Sequence, residues 1–124
     1  MPIDPEILLK KELDEVEGSW TEERVILYNI AVGSSQDPLN KSDLEFTVGS
    51  NPKVIPSFAA CIYPMESVFS IIGSEGLEVS LTSLLHGEQK ITIHKDIPSS
   101  GTAVTKATIT AVEDYKKFAS VTIT

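Results

Sequence analysis

The apolar positions of the chain change period along its length. Val25, Tyr28 and Val32 recur at helical spacing with Leu27 and Ala31 beside them, which predicts an amphipathic helix over residues 21–32. Ser19-Trp20-Thr21-Glu22 supplies its start: a Ser or Thr oxygen accepts orphan backbone N–H bonds, and Glu22 and Glu23 complement the positive end of the helix. Gly33 suits the left-handed position that follows the last turn. Asp37-Pro38 and Asn40 are turn chemistry, after which Leu44, Phe46 and Val48 alternate as a short strand ended by Gly49-Ser50-Asn51-Pro52.

A second helix is expected to begin at Ile55-Pro56-Ser57-Phe58, where Pro56 forces an extended residue before it and Ser57 can cap. Residues 58–63 are apolar on every side, the mark of a core helix wrapped by other elements. Pro64 must end or kink it, with Val68, Phe69, Ile71 and Ile72 in a second short piece running to Gly73. From Leu77 the period becomes two. Residues 89–95, 102–112 and 118–124 alternate and are rich in Thr, Val and Ile, with turns at Pro98-Ser99-Ser100-Gly101 and over 113–117, which predicts an antiparallel meander. A buried helix followed by such strands predicts an α+β domain whose sheet curls around the helix. The chain reads as a single domain over 1–124, with the acidic stretch 1–20 as an N-terminal arm. The last alternating run stops at Val121-Thr122-Ile123-Thr124, as if one further strand were missing.

Composition narrows the function. The 124 residues suffice for one core, burying roughly two thirds of the surface of the unfolded chain. A formal charge of −8, with only ten Lys and Arg, argues against nucleic acid and anionic membrane surfaces as partners. No apolar run approaches the roughly 18 residues of a membrane span, and the N-terminus does not read as a signal peptide. A single cysteine, Cys61, excludes an internal disulfide and fits a reducing, cytoplasmic setting. Between Ala60 and Ile62 it reads as a small buried hydrophobe rather than a reactive thiol.

Candidate chemistry is sparse. His86 and Glu88 flank Gly87, and a histidine oriented by a carboxylate is a general base. Residues two apart on a strand point the same way without having to touch, however, so the pair is not assigned catalysis. His94 continues a strand face, and two histidines eight residues apart make no metal site. Gly73-Ser74-Glu75-Gly76 is acidic and lacks the strand-to-helix context of a phosphate loop. Lys90, Lys95, Lys106, Lys116 and Lys117 are read as solubility rather than as phosphate ligands.

Taken in order, Pro5-Glu6-Ile7-Leu8-Leu9, Ser19-Trp20-Thr21, Leu27-Tyr28, Val32-Gly33, Asp37-Pro38-Leu39-Asn40, Ile55-Pro56-Ser57-Phe58, Leu84-Leu85-His86-Gly87-Glu88-Gln89 and Ile97-Pro98-Ser99-Ser100-Gly101 resemble the N-terminal half of MaoC-like, (R)-specific 2-enoyl-CoA hydratases of the hydratase 2 type. The resemblance implies a hot-dog fold: a long central helix wrapped by a curved antiparallel sheet. It implies a trans-2-enoyl-CoA hydrated to a (R)-3-hydroxyacyl-CoA between two such halves, with a coenzyme A thioester as substrate and no separate cofactor. In that family the catalytic Asp and His stand in a Gly-Asp-x-Asn-Pro-x-His pattern of the C-terminal half, which this sequence lacks. No catalytic residue is therefore assigned here, and the chain alone is expected to be inactive. As substrate-binding candidates the resemblance marks Pro56 and Phe58 at the helix start, where pocket lining and plain core packing remain alternatives, and His86, Gly87 and Glu88 at the cleft or the interface of the halves. The expected partners are acyl-CoA and a second hot-dog domain or subunit, in a homo- or heterodimer. The alternative is a noncatalytic hot-dog subunit that binds acyl-CoA or stabilises a sister chain; a thioesterase ranks last, since Glu66 is the only acid near the central helix.

Overall fold

A computed structural model of the chain describes residues 3–124 apart from the side chain of Ser67; Met1 and Pro2 of the expected arm lie outside the described residues. In chain order the elements are α1 (Pro5–Leu9), β1 (Val16–Trp20), α2 (Glu22–Ala31), α3 (Lys41–Leu44), α4 (Ala59–Ile62), α5 (Met65–Phe69), β2 (Gly101–Thr105), β3 (Ile109–Asp114) and β4 (Ala119–Ile123), with single 3-10 turns at Pro56–Phe58 and Leu81–Ser83. β1 pairs with β2 in one two-stranded sheet and β3 with β4 in another. Mixed helix and antiparallel strand of this kind is the content of a partial hot-dog fold. The chain packs as two compact units: one takes residues up to Val16, Pro64–Gln89 and Val104–Thr124, the other Glu17–Tyr63 and Lys90–Ala103.

The first unit is built on Leu8, Ile71, Leu77 and Ile109, with Ile3, Leu13, Val79, Val112, Val121 and Ile123 packed around them. Five residues are too few for a helix to persist in water by propensity, so α1 depends on its cap and on its one buried side chain. Asp4 Oδ1 accepts the N–H groups of Glu6 (3.0 Å) and Ile7 (3.3 Å), Pro5 pre-sets the first turn, and Leu8 is fully buried. Ile3 forms an antiparallel bridge with Leu77, and Asp4 N donates to Gly76 O at 2.9 Å. Gly76 sits at φ +88, and a Cβ there would lie 2.9 Å from Ile7 Cγ2, so both the backbone conformation and the close approach of α1 require glycine.

β3 and β4 form an antiparallel hairpin with Val112 opposite Val121 and Asp114 opposite Ala119, and with a register irregularity between Ile109 and Ala111. Thr108 and Thr124 exchange both main-chain hydrogen bonds at 2.8 Å and extend the ladder. The turn is closed by Tyr115 N donating to Phe118 O at 2.9 Å and by Lys116 N, at φ +67, donating to Asp114 Oδ1 at 2.7 Å. The Tyr115 and Phe118 rings stack 4.9 Å apart. The Tyr115 hydroxyl donates to Glu113 Oε2 at 2.8 Å. That bond, with the carboxylate charge behind it, raises the phenol above its ordinary pKa.

Several expected elements form as read from the sequence. α2 starts on Thr21 and is followed by Gly33 at φ +101, and the chain bends within 98–101 as expected; the turn expected over 113–117 is shorter, since β3 runs on through Asp114. Others differ. The strand expected over 44–48 is instead a run of turns, in which Leu44 N donates to Asn40 O at 3.0 Å and Val48 N to Leu44 O at 2.9 Å. Asn40 Oδ1 caps α3 by accepting Asp43 N at 3.2 Å, and Gly49 at φ +87 ends the run; local capping outweighs three alternating apolar residues. The helix expected to be enclosed over 58–63 is one 3-10 turn and the four residues of α4. It stops at Tyr63, which is extended at ψ 127 before Pro64. Phe58 is buried, Cys61 and Ile62 are half-buried and Ala60 is exposed. The run 102–112 divides into β2 and β3, in different sheets, because Thr108 joins the β4 ladder while 106 and 107 stay unpaired. The stretch 89–95 forms no strand: residues 81–96 are exposed throughout, and a strand exists only in a ladder.

Two outcomes test this unit. Gly76→Ala should lower its unfolding free energy by about 1–3 kcal/mol, from the left-handed backbone and the clash with Ile7, measured by urea denaturation; a neutral result would contradict the packing of α1. The raised Tyr115 phenol supplies stability that is complete below the ordinary tyrosine pKa and is lost as pH rises through the raised value. In an ultraviolet titration Glu113→Gln should return the Tyr115 midpoint toward the ordinary value.

Candidate functional site

Four of the motifs separated along the chain meet in the second unit. Trp20, at the end of β1, is buried with Val25 of α2 and Phe58 in one apolar cluster, against which Tyr28, Val54, Ile97 and Ala103 pack. Its indole Nε1 donates to Pro98 O at 2.8 Å. A Cβ on Gly101 would lie 3.1 Å from Trp20 Cζ2, so glycine lets β2 begin directly against the indole. One tryptophan thereby fixes both ends of the turn 98–101.

The same turn is held from the start of α2. Thr21 Oγ1 accepts Arg24 N at 3.4 Å as the helix cap, which sets Glu22 on the first turn. One oxygen of Glu22, Oε1, accepts Asn51 N at 2.8 Å and the hydroxyl of Ser99 at 3.1 Å. The Ser99 hydroxyl also lies 3.0 Å from Asn51 Oδ1, so its single proton is shared between two acceptors. Ser99 is buried, and Asn51 adopts φ +55, a left-handed conformation that asparagine tolerates. Deeper in, Asn29 is fully buried and donates from Nδ2 to Phe46 O (2.7 Å) and Lys53 O (2.8 Å), pinning the 46–53 loop. Arg24 reaches across to α4, donating to Cys61 O as well as to Ser19 O.

Pro56 and Phe58 belong to this unit. Phe58 is a core residue, with Tyr28 edge-on to it at a ring distance of 5.3 Å. Pro56 and Ser57 are exposed at the helix start, where Ser57 Oγ and Tyr28 Oη are 2.7 Å apart. His86, Gly87 and Glu88 belong to the other unit and are fully solvent-facing. His86 Nε2 lies 3.1 Å from the main-chain carbonyl of Glu88, not from its carboxylate, so the acid does not orient the ring. A cleft of about 430 Å³ in that unit is lined by Lys10, Lys11 and Lys106. Glu12 and Glu15 share the lining, and Lys106 is paired with Glu15 at 2.7 Å, so acids offset part of the lysine charge there, while Lys11 donates to the neutral Ser74 Oγ at 2.8 Å. Among the described residues no group of three or more His, Cys, Asp or Glu is placed to hold a metal ion.

Sequence reasoning took Glu22 for a dipole partner of α2 and did not single out Asn51 or Ser99. Asn51 and Ser99 lie 29 and 77 residues from Glu22, beyond any local pattern. The available signal was the pairing of a lone tryptophan with a Pro-Ser-Ser-Gly turn.

Residues 19–124, across which these motifs are spread, match the family model of the MFE-2 hydratase 2 N-terminal domain. The chain belongs to this family. As a member of the hydratase 2 N-terminal domain family it carries the hot-dog fold. It is 30% identical over 121 residues to Enoyl-CoA hydratase ChsH3 of Mycobacterium tuberculosis, covering 96% of this chain and 42% of that protein. It is 27% identical over 119 residues to the peroxisomal Enoyl-CoA hydratase 2 of Arabidopsis thaliana, covering 92% and 38%. With Probable enoyl-CoA hydratase 2 of Dictyostelium discoideum it shares 30% identity over 121 residues, covering 94% and 39%. The chain therefore spans about two fifths of the length of the curated relatives it matches.

The turn 98–101 is predicted to be the stabilising hinge of this unit. Trp20→Phe removes the donor to Pro98 O and leaves part of the indole's space unfilled, and should cost about 2–4 kcal/mol; Ser99→Ala, which leaves Glu22 and Asn51 short of a buried donor, should cost about 1–2 kcal/mol. Chemical denaturation followed by tryptophan fluorescence for the second variant, and by circular dichroism for both, measures these losses.

Proposed function

We propose that this chain is the substrate-binding, noncatalytic half of an enoyl-CoA hydratase that hydrates trans-2-enoyl-CoA to (R)-3-hydroxyacyl-CoA. The observation that carries the reading is the match of residues 19–124 to the N-terminal hydratase 2 domain in a sequence that has no Gly-Asp-x-Asn-Pro-x-His pattern. In this reading the Asp and His that activate water come from a C-terminal half, in the same polypeptide or in a partner subunit. The oxygen of water bonds to C3, a proton is delivered to C2, and hydrogen-bond donors polarise the thioester carbonyl as charge develops on it. Addition of water is redox-neutral, and the coenzyme A thioester is the substrate, so the step itself calls for no cofactor.

This half contributes walls. Exposed Pro56 with Ser57 beside it is the part of the helix start that a ligand can touch, while buried Phe58 fixes its position from behind. His86, Gly87 and Glu88 are solvent-facing and free to line the acyl-CoA cleft or the interface between halves. The purified chain should show no hydration of crotonyl-CoA above the uncatalysed rate. Addition of a C-terminal half bearing the Asp and His should produce (R)-3-hydroxybutyryl-CoA. Turnover by the chain alone would overturn the assignment; acyl-CoA binding without any rescue would instead favour a noncatalytic binding subunit.

A further inference from the structure

The cleft of about 430 Å³ between the end of α1 and the start of β3 lies wholly within the first unit, and its volume is that of a small-molecule site. Leu9, Leu13 and Ala107 give it an apolar wall, with Leu9 48% exposed. Three lysines and two glutamates line the rest, so cations outnumber acids here in a chain whose formal charge is −8. These charges are not equivalent. Lys106 is matched by Glu15 at 2.7 Å, an ion pair that ties the segment after α1 to the approach to β3. Lys10 and Lys11 form no ion pair among the described residues. Lys11 is half-buried, and lysines withdrawn from water are usually paired with an acid. The chain holds eighteen acids, yet a neutral hydroxyl holds this ammonium: Lys11 Nζ donates to Ser74 Oγ at 2.8 Å, and Ser74 Oγ donates to Ile71 O at 2.6 Å. The relay positions Lys11 without cancelling its charge.

We propose that this cleft binds a monoanionic aliphatic carboxylate, a fatty-acid-like ligand whose head is held by Lys11 and Lys10 and whose tail lies on Leu9 and Leu13. The apolar wall selects the body, because covering those side chains removes apolar surface from water. The charge balance selects the head. The excess of one cation over the acids of the lining suits a single negative charge, and Glu12 and Glu15 repel a second. Phosphate esters, which carry close to two negative charges at neutral pH, are disfavoured for that reason, and so is coenzyme A with its several phosphates. The inference stands on the first unit alone and does not rest on the hydratase reading.

Octanoate, kept below its micellar concentration, is the probe. Calorimetric titration into the full chain should show one site per chain, and the amide NMR shifts it causes should centre on residues 9–15 and 106–108. Lys11→Met keeps the length of the side chain and removes its charge, and should weaken binding about fivefold. Ser74→Ala keeps the charge but releases the ammonium, and should weaken it about twofold. Lys10→Met, at an exposed position, should also weaken it about twofold and serves if Lys11→Met fails to fold by circular dichroism. Octanol and octyl phosphate should each bind about fivefold more weakly than octanoate. Absence of binding, shifts centred elsewhere, octyl phosphate binding as tightly as octanoate, unchanged affinity in the folded lysine variants, or displacement of octanoate by equimolar coenzyme A would each overturn the proposal.

Discussion

The hydrogen bond from the Trp20 indole to the carbonyl of Pro98 joins positions 78 residues apart, and the organisation of its unit depends on it. Bringing such distant segments together costs loop-closure entropy that no local preference offsets. A buried tryptophan can meet that cost, because its large apolar area and its single N–H are satisfied in one place. Once the indole is set, Val25 and Phe58 close around it and Gly101 can start β2 against its edge. Glu22, the first residue of α2, is then within reach of Ser99 and Asn51. The caps and turns of this unit are individually weak; what makes them cooperative is that each ends on a segment the tryptophan has already placed.

The first unit solves a different problem. α1 has five residues and one buried side chain, and it survives because Asp4 serves its open N–H groups and Gly76 lets it approach without a side chain between. The hairpin of β3 and β4 gives Leu8 and Ile71 a surface to pack on through Ile109, Val112, Val121 and Ile123. Neither the short helix nor an isolated hairpin would be stable alone in water. Each supplies the apolar face the other lacks.

What the sequence made legible follows from this division between local and distant causes. The start of α2 at Thr21, its end before Gly33, the stop at Pro64 and the β3–β4 hairpin are set by residues within one turn of the event, and all were readable. The alternation at 44–48 and at 89–95 was equally plain and did not give strands. Alternation states which face would be buried but not whether a neighbouring strand is present to receive it. At 44–48 the caps of α3 prevailed, and at 89–95 no ladder formed. For the candidate site, Pro56 and Phe58 were marked by the family resemblance; the local signal at 55–58 was only that of a helix start. Glu22, Asn51 and Ser99 did not, because their roles exist only after the chain has closed.

Most of the polar side chains that the fold brings together are spent on structure. Glu22 Oε1 already accepts two hydrogen bonds, from a backbone N–H and from a buried hydroxyl. His86 rests its ring nitrogen on a main-chain carbonyl in full solvent, with no carboxylate to hold it in one orientation. Asn29 spends both N–H donors on the loop it pins. Glu22 and Asn29 are thus occupied with holding backbone in place, whereas His86 is left solvent-facing.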